Sequence, residues 1–334
     1  MTITRVSLAN RSTFPQSIKM ISRLFLGILI SLSSERTQCD TKIVLNNRPI
    51  IGILAQSTKG TPVEKLGTSY IDAAYVKYIE SSGARVVPIK TSLNEEEVIN
   101  IFKSVNGVLF PGGDVSVTDS DYARIGNVIY KQAITAFCQN DYFPLWGICL
   151  GFELLATMVS GSSSVLSHSD SENLPLPLNF TPEYRKSRLF ADISPELAQY
   201  ISTAPTTLNL HQNCVSTETF KANKQLKNFF NVLSTNNDRN GKQFVSTMEG
   251  TKYPFYSTQW HPEKNSFEWS TALNIPHYPM SVKVTQYMSN FFVNQTRYSR
   301  HKFKSSREEQ AQLIYNYPTL YTGNISNWEQ TYIF

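Results

Sequence analysis

The chain has 334 residues, with 31 Lys and Arg against 26 Asp and Glu, a formal net charge of +5, 41% hydrophobic and 17% charged residues. Charge this sparse excludes a solvated disordered chain or a coiled coil, and the apolar share suffices for a packed core. The basic excess is spread thinly apart from Arg297, Arg300, His301, Lys302, Lys304 and Arg307, too loose a cluster for a nucleic-acid face, and no apolar run reaches the roughly 18 residues of a membrane span.

In chain order, Lys19 and Arg23 precede the apolar run Leu24 to Leu32 and the small Ser33 and Ser34. This is the layout of a secretory signal, so residues 1–34 are expected to be absent from the mature protein, with 1–19 an upstream extension before Met20. Pro49 to Ala55 (PIIGILA) is apolar nearly throughout, as a parallel strand covered on both faces should be. Ile71, Ala74, Tyr75, Tyr78 and Ile79 make one helical face, with Gly83 placed as its left-handed terminator. A strand follows at Arg85 to Ile89, then a capping-box pair, Asn94 and Glu97, for a helix to about Val105.

Gly107 to Phe110 (GVLF) is another short apolar run, and Ile125, Val128, Ile129, Ala133 and Ala136 give a further helical face before the strand at Phe143 to Gly147. From Gly161 to Thr181 the chain is rich in Ser, Pro and Asn and reads as a surface loop. Strand-like runs return at Phe229 to Ser234, Gln243 to Met248 and Phe255 to Gln259, and Val282 to Val293 reads as a helix. Strands alternating with helices predict an α/β fold: a doubly wound, mostly parallel sheet flanked by helices, forming a single domain over 47–334, with ligands outside the carboxyl ends of the strands.

The four cysteines, Cys39, Cys138, Cys149 and Cys214, show no CxxC spacing or paired His tract, so no metal site or disulfide scaffold is implied. Sequons at Asn179, Asn294 and Asn324 are candidate glycosylation sites that agree with secretion.

Gly147-Ile148-Cys149-Leu150-Gly151 lies between an apolar strand and a helical pattern. G-x-nucleophile-x-G in that context is a nucleophile elbow, and a thiol there gains from the helix N-terminus, which favours the thiolate. On that reading iodoacetamide should label Cys149 rather than Cys138 or Cys214. A base is needed, and His261 follows the strand at Phe255 to Gln259, on the edge that carries the elbow. Glu263, held two residues on by the restricted Pro262, is placed to bond the far imidazole nitrogen and fix its tautomer. Backbone N–H groups at Gly112-Gly113, with Gly113 the candidate donor, and at Leu150 would make an oxyanion hole.

These motifs carry a resemblance. FPGGD at 110–114, WGICLGFELL at 146–155 and QWHPEK at 259–264 resemble the class I glutamine amidotransferase fold with its Cys-His-Glu triad. SYIDAAYVKYIESSGARVVPI at 69–89, PLPLNFT at 175–181, KNFFNVLSTN at 227–236 and LIYNYPTLYTGNIS at 313–326 resemble the gamma-glutamyl hydrolase family within it. The resemblance implies hydrolysis of γ-glutamyl bonds in folylpoly-γ-glutamates through a thioester, with Cys149 as nucleophile, His261 as base and acid, Glu263 as orienting carboxylate and no cofactor.

It further implies functional roles for Glu153, four residues after the cysteine, and for the mid-chain His211. A lysosomal or extracellular destination follows as well (the vacuole in a plant), as does a homodimer without nucleic-acid or membrane partners. Lys264 is a candidate partner for a substrate carboxylate, Tyr70 could approach the elbow, and a positively charged mouth would suit so anionic a substrate. Two alternatives stand beside this: a glutaminase module that passes ammonia to a synthase, and a catalytically silent folate-binding protein. The intact Cys149, His261 and Glu263 argue against silence.

Overall fold

A computed structural model describes residues 44–334, so the expected signal over 1–34 and Cys39 lie outside the described residues. The strand β1 (Ile50–Leu54) is followed by β2 (Gln56–Ser57), β3 (Ser69–Asp72), helix α1 (Ala73–Glu80), β4 (Arg85–Ile89), α2 (Glu95–Phe102), β5 (Gly107–Phe110), α3 (Asp121–Cys138), β6 (Leu145–Ile148) and α4 (Leu150–Ser160). The second half contributes β7 (Ser167–Leu176), β8 (Asn179–Phe180), α5 (Pro195–Thr203), β9 (Thr207–Cys214), α6 (Thr217–Ala222), α7 (Lys224–Phe229), β10 (Phe230–Asn237), β11 (Gln243–Gly250) and β12 (Phe255–Thr258). It closes with α8 (Lys264–Phe267), α9 (Pro279–Thr296), α10 (Ser306–Gln312), β13 (Thr319–Tyr321) and β14 (Gln330–Ile333). Leu45–Phe334 form one compact unit.

Eight strands make the central sheet in the order β4-β1-β5-β6-β12-β11-β10-β8. The first five run parallel, and β11, β10 and β8 extend the sheet antiparallel. Alternation along β1 sends Ile50 and Leu54 into a core shared with α2, α3 and α4, and Ile51 and Ile53 into a core shared with α1, α5 and α9. Helices thus cover both faces, and a strand buried on both sides reads as continuously apolar in sequence. The winding reverses at β1, which has β4 on one side and β5 on the other. A crevice at the carboxyl ends beside such a switch point is where an open α/β sheet binds its ligands.

Several expectations need correction. The first helix starts at Ala73, and Ile71 belongs to β3, because the Asp72 side chain caps the helix by accepting from Ala74 N–H at 2.9 Å. The Asn94 and Glu97 capping box forms in both directions, at 3.0 and 2.8 Å. The stretch from 161 to 181 is not a loop: it contains β7, which pairs antiparallel with β9 through two register shifts. Its Ser and Asn content concealed a strand whose buried Ser169 and Ser171 hydroxyls bond one another at 2.9 Å, so burial there is polar and leaves no apolar alternation to see.

Candidate active site

The chain leaves β6 at Ile148 and turns at Cys149 with φ 52° and ψ −107°, a left-handed backbone for a residue with a side chain. Such strain persists only where neighbours over-determine it. Here Cys149 N–H donates to Thr258 O at 2.8 Å, tying the turn to β12, and Cys149 O accepts the first helical bond of α4 from Glu153 N–H at 3.0 Å. A Cβ on Gly147 would lie 2.4 Å from Gly151 O, and one on Gly151 would lie 2.1 Å from Phe110 O. Both obstacles are backbone, so these two positions require glycine.

The other half of the site rides on the end of β12. Gln259 N–H donates to Ser246 O at 2.8 Å and His261 N–H to Leu208 O at 2.9 Å, fixing the loop to β11 and β9, while the Thr285 hydroxyl holds Pro262 O at 2.7 Å. His261 Nδ1 lies 2.7 Å from Glu263 Oε1 and 3.3 Å from the Tyr75 hydroxyl. A carboxylate can only accept, so Nδ1 carries the hydrogen and Nε2 is left as the basic nitrogen. Nε2 is buried and has no hydrogen-bond partner among the described residues. Cys149 and His261 converge on Gly112, where a Cβ would meet His261 Cε1 at 2.7 Å, the Tyr75 hydroxyl at 2.8 Å and Cys149 Cβ at 3.1 Å.

Two cavities meet at Cys149. The smaller, about 130 Å³, has His261, Tyr70, Tyr75, Gly112, Gly113, Lys264 and Trp328 in its wall. The larger, about 460 Å³, is bounded by Gly113, Asp114, Leu150, Glu153, Glu172 and His211. All the expected catalytic, oxyanion and substrate residues therefore line one cavity or the other except Glu263, which is fully buried behind His261. Gly112 N–H is taken by the Tyr75 hydroxyl at 2.8 Å, which leaves Gly113 and Leu150 as the candidate donors.

Electrostatics alter the picture drawn from sequence. Burial, then the Glu153 and Glu263 carboxyls, push the Cys149 thiol well above its ordinary value, and the Leu150 N–H offsets this only in part. Cys149 is 4% exposed, whereas Cys138 is exposed, so accessibility favours labelling of Cys138 and reverses the expected selectivity. Burial raises Glu153 to about 8, against the bond from Gln259 Nε2 at 3.2 Å. His211 sits between Asn213 O at 2.8 Å and Asn209 Oδ1 at 3.2 Å, and burial lowers its pKa to about 3 against the Asn213 bond.

The mouth is not positive. Of the residues bounding the two cavities, Lys264 is the one Lys or Arg, beside Asp72, Asp114, Glu153 and Glu172. Its ammonium is buried and bonds Asp72 Oδ2 at 3.0 Å. Sequence reasoning missed Tyr75, read as core, and Trp328, which stacks on Tyr70 with ring centroids 4.7 Å apart. Neither carries a local motif. Among the described residues no group of His, Cys, Asp and Glu is arranged to hold a metal, and no helix is long and apolar enough to cross a membrane.

The Peptidase C26 family model matches residues 49–263. Over 314 residues the chain is 46% identical to Gamma-glutamyl hydrolase of Homo sapiens, covering 92% of this chain and 96% of that protein. It is 40% identical to Gamma-glutamyl hydrolase B of Dictyostelium discoideum, with 94% and 90% covered. Gamma-glutamyl hydrolase 1 of Arabidopsis thaliana is 36% identical, with 87% and 84% covered. Among solved structures, the glutaminase domain of Trypanosoma brucei CTPS with bound acivicin aligns at a TM-score of 0.47 and 13% identity, covering 78% of this chain and 98% of that one.

Proposed function

The chain belongs to the gamma-glutamyl hydrolase family, Peptidase C26, and from that premise we propose that it is a cysteine hydrolase that cuts γ-glutamyl bonds of folylpoly-γ-glutamates with Cys149, His261 and Glu263. The observation that carries the residue assignment is the convergence on Gly112 of the strained elbow cysteine and an imidazole whose far nitrogen is bonded to a buried carboxylate at 2.7 Å.

In this reading the thiol rests protonated. As Sγ attacks the γ-carbonyl carbon, His261 Nε2 takes the thiol proton, and the oxyanion is met by the N–H groups of Gly113 and Leu150. Collapse of the tetrahedral intermediate breaks the C–N bond, and His261 gives its proton to the departing amine. Water then gives a proton to His261 as it attacks the thioester, and the thiol is restored with release of the acid. Glu263 holds the ring in the productive tautomer and stabilises the imidazolium.

The smaller cavity, which shares His261, takes the leaving glutamate and puts it beside Tyr70; the larger takes the acyl side, with Glu153 and His211 in its wall. Glu153, neutral over the acidic range, can donate a hydrogen bond to a substrate carboxylate instead of repelling it, which offsets the lack of a positive mouth. The same proposal includes a secretory route to lysosome or extracellular space and N-glycosylation at Asn179, Asn294 and Asn324, all three exposed, and a homodimer. The test is product analysis with a defined folate pentaglutamate: shortened folates and free glutamate or glutamyl peptides support the reading, and an unchanged substrate refutes it. Release of ammonia from glutamine in their place would favour the glutaminase alternative.

A further inference from the structure

Lys264 sits where a substrate-binding cation would be looked for, yet its ammonium is occupied by the protein. Nζ lies 3.0 Å from Asp72 Oδ2 and 3.8 Å from Glu263 Oε1. That Glu263 oxygen is the one bonded to His261 Nδ1, while Glu263 Oε2 is buried without a partner. The second oxygen of Asp72 caps α1 through Ala74 N–H, so the ammonium is anchored to the end of a helix and has no freedom to follow solvent.

We propose that Lys264, although it borders the smaller cavity, is a positioning residue for the reaction: clamped by Asp72, it holds the Glu263 carboxylate against His261. The proposal rests on the triad reading above.

The charge balance of the cluster supports it. Asp72, Glu263 and Glu268 bring three carboxyls into one buried region with a single ammonium. Burial and the Asp72 carboxylate push Glu268 up, so it keeps its proton, and Glu268 Oε2 accepts Glu329 N–H at 2.7 Å. Burial pulls the Lys264 ammonium down, but the Asp72 carboxylate, with Glu263, outweighs this and keeps it charged. Tyr75 and Tyr78 face Glu263 from α1 with burial-raised, neutral hydroxyls. Among the described residues the Glu263 carboxylate thus makes one hydrogen bond, with the imidazole, and one ion pair with a lysine, Lys264. A buried ion pair is poor evidence for stability, since apolar replacement of both partners is often harmless. One that shares an oxygen with a triad acid acts on the orientation of that acid.

The experiment is a double-mutant cycle of Lys264→Met and Glu263→Gln, with kcat and KM measured on a folate pentaglutamate. Lys264→Met should lower kcat by about tenfold or more with KM changed less than about threefold, and should cause no further loss when added to Glu263→Gln. Fully multiplicative losses, or a loss confined to KM, would overturn the proposal and leave the triad standing. Wild-type kcat in Glu263→Gln would instead bring down the triad acid, and the proposal with it. In case Lys264→Met alone fails to fold, Asp72→Asn/Lys264→Met leaves the net charge of the cluster unchanged and retains a helix cap. This variant should unfold near the wild-type temperature and stay impaired in kcat. Recovery of wild-type kcat would mean that Lys264 only neutralises Asp72, which also overturns the proposal.

Discussion

Glu153→Gln should make the protein more stable than wild type, by an amount that grows with pH. The carboxyl is buried, and burial raises it from 4.5 to about 8, with Asp114 adding to the rise and the Gln259 amide opposing it. Each pH unit of displacement corresponds to about 1.4 kcal/mol, so the folded state prefers neutral Glu153 by roughly 5 kcal/mol. The native protein binds this proton more tightly than the unfolded chain, so stability falls as pH rises between about 4.5 and 8, and the loss is complete above that window. A glutamine keeps an oxygen for Gln259 Nε2 but carries no titrating proton. Urea unfolding of both proteins from pH 4.5 to 8.5 should therefore give a stability difference that widens by several kcal/mol in favour of the variant. Parallel profiles across that range would refute the reasoning, because they would mean that Glu153 titrates alike in folded and unfolded chains.

Gly112→Ala should keep the fold but lower kcat by about a hundredfold, because its methyl group would meet His261 Cε1 at 2.7 Å and Cys149 Cβ at 3.1 Å and force base and nucleophile apart; kinetics beside a melting curve decide it, and unchanged kcat would count against the convergence. Gly151→Ala should destabilise by about 3 kcal/mol or more, since its methyl would lie 2.1 Å from a backbone oxygen of the central strand β5, and an unchanged urea midpoint would contradict that clash. Iodoacetamide at neutral pH should label Cys138 before Cys149, as the elbow thiol is buried and burial keeps it protonated; peptide mapping that finds Cys149 modified first would show a preformed thiolate instead.

What could be seen in sequence was what depends on near neighbours along the chain. The elbow was legible because two glycines, a strand end and a helix start fall within a few residues, and the Asn94 cap because Glu97 answers it one turn later. Asp72 looked like one more position in a helix, since the Asp72 to Lys264 bond joins residues far apart in the chain. Lys264 reads in sequence as a partner for a substrate carboxylate, and not for Asp72, for the same reason. β7 and β9 were missed because their pairing buries serines, asparagine and His211 without apolar alternation, and with them went the wall that carries Leu210 O, 3.6 Å from Cys149 Sγ. The sign of the mouth does not follow from the charge of the implied substrate, nor from a net charge of +5 that says nothing of where the charges lie.

Hydrolysis through a thioester on Cys149 is tested by intact-mass and peptide mass spectrometry of enzyme acid-quenched during turnover of a γ-glutamyl substrate. An acyl adduct is expected on the peptide containing Cys149, removed by hydroxylamine and absent from a folded, inactive Cys149→Ala variant. Wild-type turnover by Cys149→Ala, or an acyl adduct mapped to another residue, would contradict it.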